Sequence, residues 1–204
     1  MHITLVILIS YFIGSIPTAY IAVKCFGGKD LRKEGSRNIG ARNAYEVTNN
    51  RSVGITVLVL DLLKGLLPVL ILLLIDFSGA IPFASAALIL GHCYPLWLKF
   101  QGGRGLATTA GVLLLVCPVL IPIWLASYFI SGLVKKNVHL QTVIAVTVTA
   151  AAELLFFPDI VNIASIASTG WSAEILLRWQ YSITMVFLII LSRHIEPLRS
   201  LNRL

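Results

Sequence analysis

The most polar loop of the chain carries side chains suited to binding an anion. Its central segment is Glu34-Gly35-Ser36-Arg37-Asn38-Ile39-Gly40-Ala41-Arg42-Asn43. Hydroxyl and amide groups come from Ser36, Asn38 and Asn43. Arg37 and Arg42 add guanidinium groups, whose planar donors match the oxygens of a phosphate. The segment therefore predicts an anion site. An ordinary polar loop whose positive charge faces a membrane is the alternative.

A second polar element joins two apolar runs and is rich in glycine. It reads Lys99-Phe100-Gln101-Gly102-Gly103-Arg104-Gly105-Leu106-Ala107-Thr108-Thr109. Because the glycines lead into a predicted helix, we expect consecutive backbone N–H groups and the helix dipole to attract an anion there, with Arg104 adding a full charge. The spacing is not that of a Walker A motif. A flexible turn is the competing explanation.

Two further groups of charged residues could take part. The tail segment Arg193-His194-Ile195-Glu196 contains a histidine that could act as base, orienter or phosphate donor, or could simply belong to a helix-end cluster. Asp61 and Lys64 lie three residues apart in an apolar run, and therefore on one helix face. A structural ion pair lining the helix bundle is the favoured interpretation of these two, and direct contact with a ligand is the alternative.

Composition sets the environment of these residues. Of the 204 residues, 57% are hydrophobic and only 12% are charged, and the mean hydropathy is +0.89. Soluble domains carry about 25% charged residues, so a water-soluble fold is excluded. Long apolar runs favour helices over an outer-membrane barrel. The expected fold is a polytopic all-α membrane bundle forming a single domain over residues 1–204.

Seven apolar segments can be drawn along the chain. They span approximately 3–24, 53–75, 80–98, 105–117, 119–134, 139–157 and 178–193. Pro118 disfavours helix at Cys117 and so separates the fourth segment from the fifth. The alternative is six segments, with one helix over 105–134 kinked at Pro118 and Pro122. Residues 158–177 are expected to form an outer loop that is partly helical.

The basic residues decide between seven segments and six. The net charge is +7, and all but two of the 16 Lys and Arg residues lie in loops 24–51, 99–104 and 135–138 or in the tail. With seven crossings and the N-terminus outside, all of these face the cytoplasm, as the positive-inside rule requires. The charge therefore reflects membrane orientation and an anionic ligand, and no nucleic-acid partner is expected.

Six separated motifs resemble one enzyme family. They are Gly14-Ser15-Ile16-Pro17, Gly35-Ser36-x-Asn38-x-Gly40-Ala41-x-Asn43, Asp61-x-x-Lys64-Gly65, Gly91-His92-x-x-Pro95, Gly102-Gly103-x-Gly105-x-Ala107-Thr108 and Arg193-His194-x-Glu196. The sequence resembles the bacterial acyl-phosphate-dependent glycerol-3-phosphate acyltransferases over nearly its whole length. The resemblance implies a seven-helix enzyme of the bacterial cell membrane, with its active site and C-terminus at the cytoplasmic face. It also implies transfer of a fatty acyl group from acyl phosphate to the 1-hydroxyl of glycerol 3-phosphate, giving lysophosphatidic acid for phospholipid synthesis.

The resemblance also suggests roles for the polar residues. The expected catalytic residues are Ser36, His194 and Glu196. The expected substrate- and phosphate-binding residues are Asn38, Arg42, Asn43, Gly102, Gly103, Arg104, Gly105 and Thr108. Acyl phosphate is already activated, so no cofactor, metal or covalent enzyme intermediate is expected. Membrane lipids are the other expected partners.

This chain departs from the usual family pattern at several positions. The family usually has glycine, threonine, arginine, lysine and asparagine where this chain has Arg37, Arg42, Glu46, Arg104 and Pro197. A paralogue with an altered substrate is therefore an alternative. A small membrane transporter or anion-binding protein is another, because a charged pair within a span and a helix broken at Pro118 are features that transporters use. The His-x-x-x-x-Asp motif of other glycerolipid acyltransferases is absent, because no acidic residue follows any histidine by five.

Overall fold

In the computed structural model, residues 2–164, 173–195 and 197 are described, with side chains for 2–156, 178–195 and 197. Every regular element in these ranges is helical. The α-helices are α1 (Ile3–Gly14), α2 (Thr18–Gly27), α3 (Ala41–Thr48), α4 (Arg51–Leu74), α5 (Ile81–Cys93), α6 (Leu106–Val116), α7 (Leu120–Val134), α8 (Val138–Ala164) and α9 (Ala173–Ser192), and short 3₁₀ turns cover Ser78–Ala80 and Leu96–Leu98.

Four helical stretches in the described residues are long and apolar enough to cross a membrane. They are Ile3–Gly27, Arg51–Leu74, Ser78–Leu98 and Val138–Phe156. Large apolar side chains such as Ile55, Leu67 and Ile71 of α4 are exposed on the surface of the chain. Such a surface is stable only against lipid or another apolar partner. The prediction of an all-α membrane fold is thus supported by both helix length and surface.

The predicted first helix, 3–24, is wrong as a continuous element. α1 ends at Gly14 and α2 begins at Thr18. Pro17 has no backbone N–H and disfavours helical angles at the residue before it, which favours a helix break at Ile16 and Pro17. The hydropathy of the run is continuous, but its hydrogen bonding is interrupted.

Other bounds also differ from prediction: α5 ends at Cys93 rather than near 98, and α9 begins at Ala173 rather than near 178. The polar loop 24–51 contains a helix, α3, which begins after Gly40 and ends at Asn49 in the left-handed conformation (φ 48°). α8 continues beyond residue 157 into the predicted outer loop, with non-helical angles at Phe156 (φ −118°, ψ 18°). Pro158, two residues later, accounts for this kink because it removes one helical hydrogen bond.

α6 and α7 are separate helices, as the break at Cys117-Pro118 predicts. α6 has 11 residues and α7 has 15, so each is shorter than the roughly 20 residues of an upright span. One continuous helix over 105–134 is not formed. The number of membrane crossings stays a prediction.

The chain forms two compact units, one up to Val112 and the other from Leu113 onward. In the first unit α1 lies against α5, where Gly91 meets the backbone carbonyl of Tyr11 so closely that an added Cβ atom would overlap it. Small residues allow membrane helices to approach in this way. In the second unit α7 and α9 both pack against α8.

Candidate functional site

The polar loop between α2 and α3 is anchored by apolar side chains that are buried in the first unit. Leu31 and Ile39 are buried in a cluster that also contains Ala44, Val53 and Val57. The loop is therefore anchored on α3 and α4, although most of its polar residues are exposed. This anchoring gives Ser36 and Asn38 defined positions between two buried residues.

Asn43 fixes the shape of this loop. The backbone N–H of Ser36 donates to Asn43 Oδ1 at 2.9 Å, and Asn43 Nδ2 donates to the carbonyls of Glu34 at 3.2 Å and Asn38 at 3.0 Å. The side chain is only 1% exposed. Asn43 therefore contacts loop backbone on both sides of Ser36, while the Ser36 residue itself is exposed. A substrate contact for Asn43 stays a prediction.

The arginines of the loop differ in their surroundings. Arg42 pairs with Glu46 one turn further along α3 at 2.8 Å, and its side chain is 66% exposed. Arg37 is exposed and has a left-handed backbone (φ 58°), which is uncommon for residues other than glycine. The Arg32 guanidinium beside Asp30 lowers the pKa of that carboxyl to about 2. Asp30 is therefore ionised near neutral pH and its charge offsets that of Arg32.

The glycine turn does not present its first two amides to a ligand as predicted. The N–H of Gly102 donates to the carbonyl of Cys93 at 3.2 Å, and that of Gly103 donates to the carbonyl of His92 at 3.1 Å. These bonds satisfy carbonyls at the C-terminal end of α5, which have no partner within the helix. The expected cradle of free amides is therefore wrong for these two residues. Their part in phosphate binding stays a prediction.

Close packing explains why glycine stands at position 103. A Cβ atom there would overlap the imidazole of His92 and come within 2.7 Å of the carbonyl oxygen of Ile39. The glycine turn therefore lies directly against the loop that carries Ser36 and Asn38. Two motifs more than 60 residues apart in the sequence meet at this point.

Arg104 follows this contact and precedes the start of α6. Gly105 has a left-handed backbone (φ 80°), and its carbonyl accepts from the N–H of Thr109 at 2.8 Å. Gly105 is therefore the residue at which the chain turns into the helix. Arg104 is partly exposed and stands next to the N-terminal turn of α6.

A buried ionic network lies beneath the glycine turn. Asp61 Oδ1 accepts from Lys64 Nζ at 2.8 Å and from the hydroxyl of Thr18 at 2.5 Å, and it lies 3.7 Å from His92 Nδ1. The Thr108 hydroxyl lies 3.2 Å from the same nitrogen of His92. The prediction that Asp61 and Lys64 form an ion pair is confirmed. Thr108 is fully buried and contacts this network.

A small pocket opens between the break in the first helix and the glycine turn. Its lining includes Ser15, Lys64, His92, Gly102 and Gly103. The Ser15 hydroxyl is buried without a hydrogen bond among the residues that the structure describes. The buried ionic network therefore contacts the pocket that both polar loops line, and it can fix the position of one loop relative to the other.

The second unit contains His194, the other predicted catalytic residue. Its side chain is fully buried, and its Nδ1 lies 3.3 Å from Nδ1 of His139, at the start of α8. The sequence predicts no role for His139, because nothing local links two residues 55 positions apart. Glu196 lies outside the described residues. Within the described residues, no group of three or more His, Cys, Asp or Glu side chains could hold a metal ion.

The helical fold and the buried ionic network beneath two polar loops define a membrane protein with a polar site at its helix ends. A family model described as glycerol-3-phosphate acyltransferase matches residues 4–203. The chain belongs to this glycerol-3-phosphate acyltransferase family.

Individual relatives agree with this assignment. A glycerol-3-phosphate acyltransferase of Macrococcus caseolyticus is 39% identical over 161 residues, covering 79% of this chain and 82% of the relative. One of Pelagibacter ubique is 40% identical over 144 residues, covering 71% and 74%.

Solved structures are similar as well. PlsY (YgiH), an integral membrane glycerol 3-phosphate acyltransferase solved in its glycerol 3-phosphate form, superposes with a TM-score of 0.78 at 27% identity, covering 98% of this chain and 92% of PlsY. Its lysophosphatidic acid form gives a TM-score of 0.76 at 25% identity. This similarity extends across nearly all of both chains.

Proposed function

We propose that this chain transfers a fatty acyl group from acyl phosphate to the 1-hydroxyl of glycerol 3-phosphate, giving lysophosphatidic acid and inorganic phosphate. Family membership supports the acyl transfer and its acceptor. The acyl phosphate donor is what the resemblance to the acyl-phosphate-dependent family implies. One structural observation supports the location of the proposed site: the Ile39 carbonyl of the Ser36 loop lies against Gly103 of the glycine turn.

The proposed site lies at the cytoplasmic face of the bacterial cell membrane. In this arrangement the chain is a single domain over residues 1–204 that crosses the membrane seven times, with its N-terminus outside and its C-terminus in the cytoplasm. The distribution of Lys and Arg among the loops supports this orientation. An acyl phosphate has an anionic head and an apolar tail, so a basic loop surface on an apolar bundle suits both ends of it.

Positively charged side chains are the main substrate-binding groups of the proposed site, because both substrates carry a phosphate group. Arg104 and Arg42 bind the two phosphate groups, beside the glycine turn Gly102–Gly105 and Thr108 in the first turn of α6. Neutralising these groups lets two anions approach each other and stabilises charge that develops in the transition state. The buried network of Asp61, Lys64 and His92 keeps the turn against the Ser36 loop.

The bond changes are those of acyl transfer without a covalent enzyme intermediate. The 1-hydroxyl oxygen attacks the acyl carbonyl carbon, a new ester bond forms, and the carbon–oxygen bond to phosphate breaks. Ser36 and Asn38 orient the acceptor or the acyl carbonyl, and Asn43 holds their loop. His194 with Glu196 positions the hydroxyl and accepts its proton. Direct transfer of that proton to the leaving phosphate is the alternative route.

Phosphate release tests this function directly. Purified protein in detergent, given palmitoyl phosphate and glycerol 3-phosphate, should release inorganic phosphate only when both substrates are present. Replacing the donor with palmitoyl coenzyme A should abolish product formation, which tests the choice of donor. Uptake of glycerol 3-phosphate into proteoliposomes without phosphate release would instead support the transporter alternative and contradict the proposal.

Arg104 gives the sharpest test of the proposed site. Arg104→Ala should lower kcat/KM by about 10²–10³-fold, as loss of one oxyanion donor does in other enzymes, and Arg104→Lys should lower it less. The matched control is Lys99→Ala, which removes an exposed positive charge from the same turn and should leave turnover within about twofold. Equal activity of Arg104→Ala and Lys99→Ala would reject the assignment.

A further inference from the structure

Two histidines meet at one end of the helix pair α8 and α9. Their Nδ1 atoms are 3.3 Å apart, and their ring centroids are 5.4 Å apart with the planes inclined by 66°. His194 is fully buried and His139 is partly buried. An edge-to-face contact with facing nitrogens fixes the orientation of both rings.

The distance between the two Nδ1 atoms restricts where protons can lie. A hydrogen bond between two imidazole nitrogens requires one to carry hydrogen and the other to be bare. Two protonated Nδ1 atoms would place two N–H groups against each other in a largely buried position. A hydrogen bond between the two Nδ1 atoms therefore uses one proton, and it links the tautomer of His194 to that of His139.

The imidazole of His139 is not needed to start its own helix. Asn137 Oδ1 accepts from the backbone N–H groups of His139 at 3.0 Å and Leu140 at 3.1 Å, which is the usual arrangement of a helix N-cap. The side chain of His139 can thus be replaced without removing the cap. A rigid helix end holding an imidazole against a proposed catalytic histidine is typical of an orienting residue.

We infer that His139 is a positioning residue for the acyl transfer reaction: through the Nδ1 contact it holds the ring of His194, the residue proposed to act on the glycerol hydroxyl. This inference rests on the proposed function, in which His194 positions that hydroxyl and accepts its proton. His139 itself does not touch the substrate. Its contribution passes entirely through the tautomer and orientation of His194.

Two substitutions separate hydrogen bonding from packing. His139→Phe keeps an aromatic ring and removes both nitrogens, whereas His139→Gln keeps a side-chain amide able to donate or accept. We expect His139→Phe to lower kcat at least about tenfold, with the KM for palmitoyl phosphate unchanged, and His139→Gln to recover most of that loss. His2→Ala, which removes an exposed histidine before α1, is the control and should leave kcat unchanged.

A double substitution tests whether His139 acts through His194. In the His194→Ala background, His139→Phe should cause no further loss, because the group it orients is already gone. A tenfold loss in both backgrounds would show an independent structural role and overturn the inference. So would full activity of His139→Phe in an otherwise unchanged chain.

A spectroscopic measurement tests the same contact without depending on turnover. The chain has only 4 histidines, so ¹⁵N-histidine spectra of the folded protein can be assigned by substitution. The ring nitrogen shifts of His194 should change in His139→Phe and not in His2→Ala. Unchanged His194 shifts would overturn the inference. If the unsubstituted protein released no phosphate, the proposed function would fail, while these spectra would still decide whether His139 sets the state of His194.

Discussion

Lys64 Nζ lies 2.8 Å from Asp61 Oδ1 within α4, where the two side chains are only 7% and 3% exposed. Lys64 also donates to the carbonyl of Ile16 at 3.1 Å, in the break between α1 and α2. The broken first helix and the intact fourth helix are thus joined by a buried charge. The Ile16 carbonyl also accepts from the backbone N–H of Thr18 at 2.9 Å, so the break and the buried charge are stabilised by the same carbonyl group.

Removing one member of this pair should destabilise the fold strongly. Lys64→Met leaves the Asp61 carboxylate buried without its countercharge. Asp61→Leu likewise leaves the Lys64 ammonium group buried without its countercharge. Each should lower the free energy of unfolding by about 3–5 kcal/mol. The double variant should recover part of this loss, because no unpaired charge remains. Thermal unfolding of the purified protein in detergent measures all three.

The exposed pair of Arg42 and Glu46 is the matched control for this experiment. It has the same 2.8 Å separation but is largely solvated. Glu46→Ala should therefore change stability by no more than about 0.5 kcal/mol. If Lys64→Met and Asp61→Leu were as mild as Glu46→Ala, the buried pair would not be holding the helices together.

This pair also shows which features of the fold the sequence predicts. Residues three apart on an apolar helix share a face whatever the rest of the fold, so Asp61 and Lys64 were predictable from helix geometry. The proline at 118 likewise marked a helix end locally. Long apolar runs with few charges predicted the helical membrane class before any contact was known.

Contacts between distant elements could not be predicted in this way. The sequence shows that Gly102 and Gly103 have no side chains, but not that their amides turn toward the end of α5. It shows His139 at the start of one apolar segment and His194 just after the end of another, but their contact depends on how α8 and α9 pack. The break before Pro17 was missed because the hydropathy continues across it. Backbone hydrogen bonding, rather than side-chain polarity, decides such positions.

Gly103→Ala should disturb the junction of the two polar loops. The added methyl group would overlap the His92 ring and crowd the Ile39 carbonyl, and a backbone carbonyl cannot rotate away as a side chain can. We expect a loss of about 1–3 kcal/mol in stability together with a marked loss of phosphate release. Unfolding and turnover measured on one preparation report both effects.

Gly79→Ala provides the comparison for this substitution. A Cβ atom at Gly79 meets nothing within 4 Å, and its backbone is outside the left-handed region. Stability should change by less than about 0.5 kcal/mol, and activity should be retained. Similar losses in Gly79→Ala and Gly103→Ala would mean that the loop contact is unimportant.

Glu153 of α8 should tolerate a neutral replacement. The residue is fully buried, and neither carboxylate oxygen has a hydrogen bond of normal geometry among the residues that the structure describes. Burying an unpaired carboxylate is unfavourable, so Glu153→Gln should maintain or raise the thermal unfolding temperature. Glu153→Lys, which places a positive charge on a longer side chain in the same buried position, should prevent stable folding. A strong loss of stability in Glu153→Gln would show that the carboxyl group has a specific partner.

Ser36 and Asn43 offer a way to separate chemistry from loop structure. The bond between them uses the backbone N–H of Ser36, so Ser36→Ala removes the exposed hydroxyl and leaves the loop clamp intact. If the hydroxyl orients substrate, Ser36→Ala should lower kcat by about 10²-fold or more with unchanged unfolding temperature. Phosphate release and thermal unfolding are the two measurements.

Asn43→Ala, unlike Ser36→Ala, should lower stability as well as activity. It removes three hydrogen bonds to the loop backbone, each of which contributes about 0.5–1.5 kcal/mol to stability. Stability and activity should therefore fall together, and the KM for glycerol 3-phosphate should rise as the loop loses its shape. If Asn43→Ala lost turnover while keeping full stability, Asn43 would be acting on substrate directly, and its role as a clamp would have to be abandoned. The pair of variants thus distinguishes a residue that contacts the reactants from one that only shapes their site.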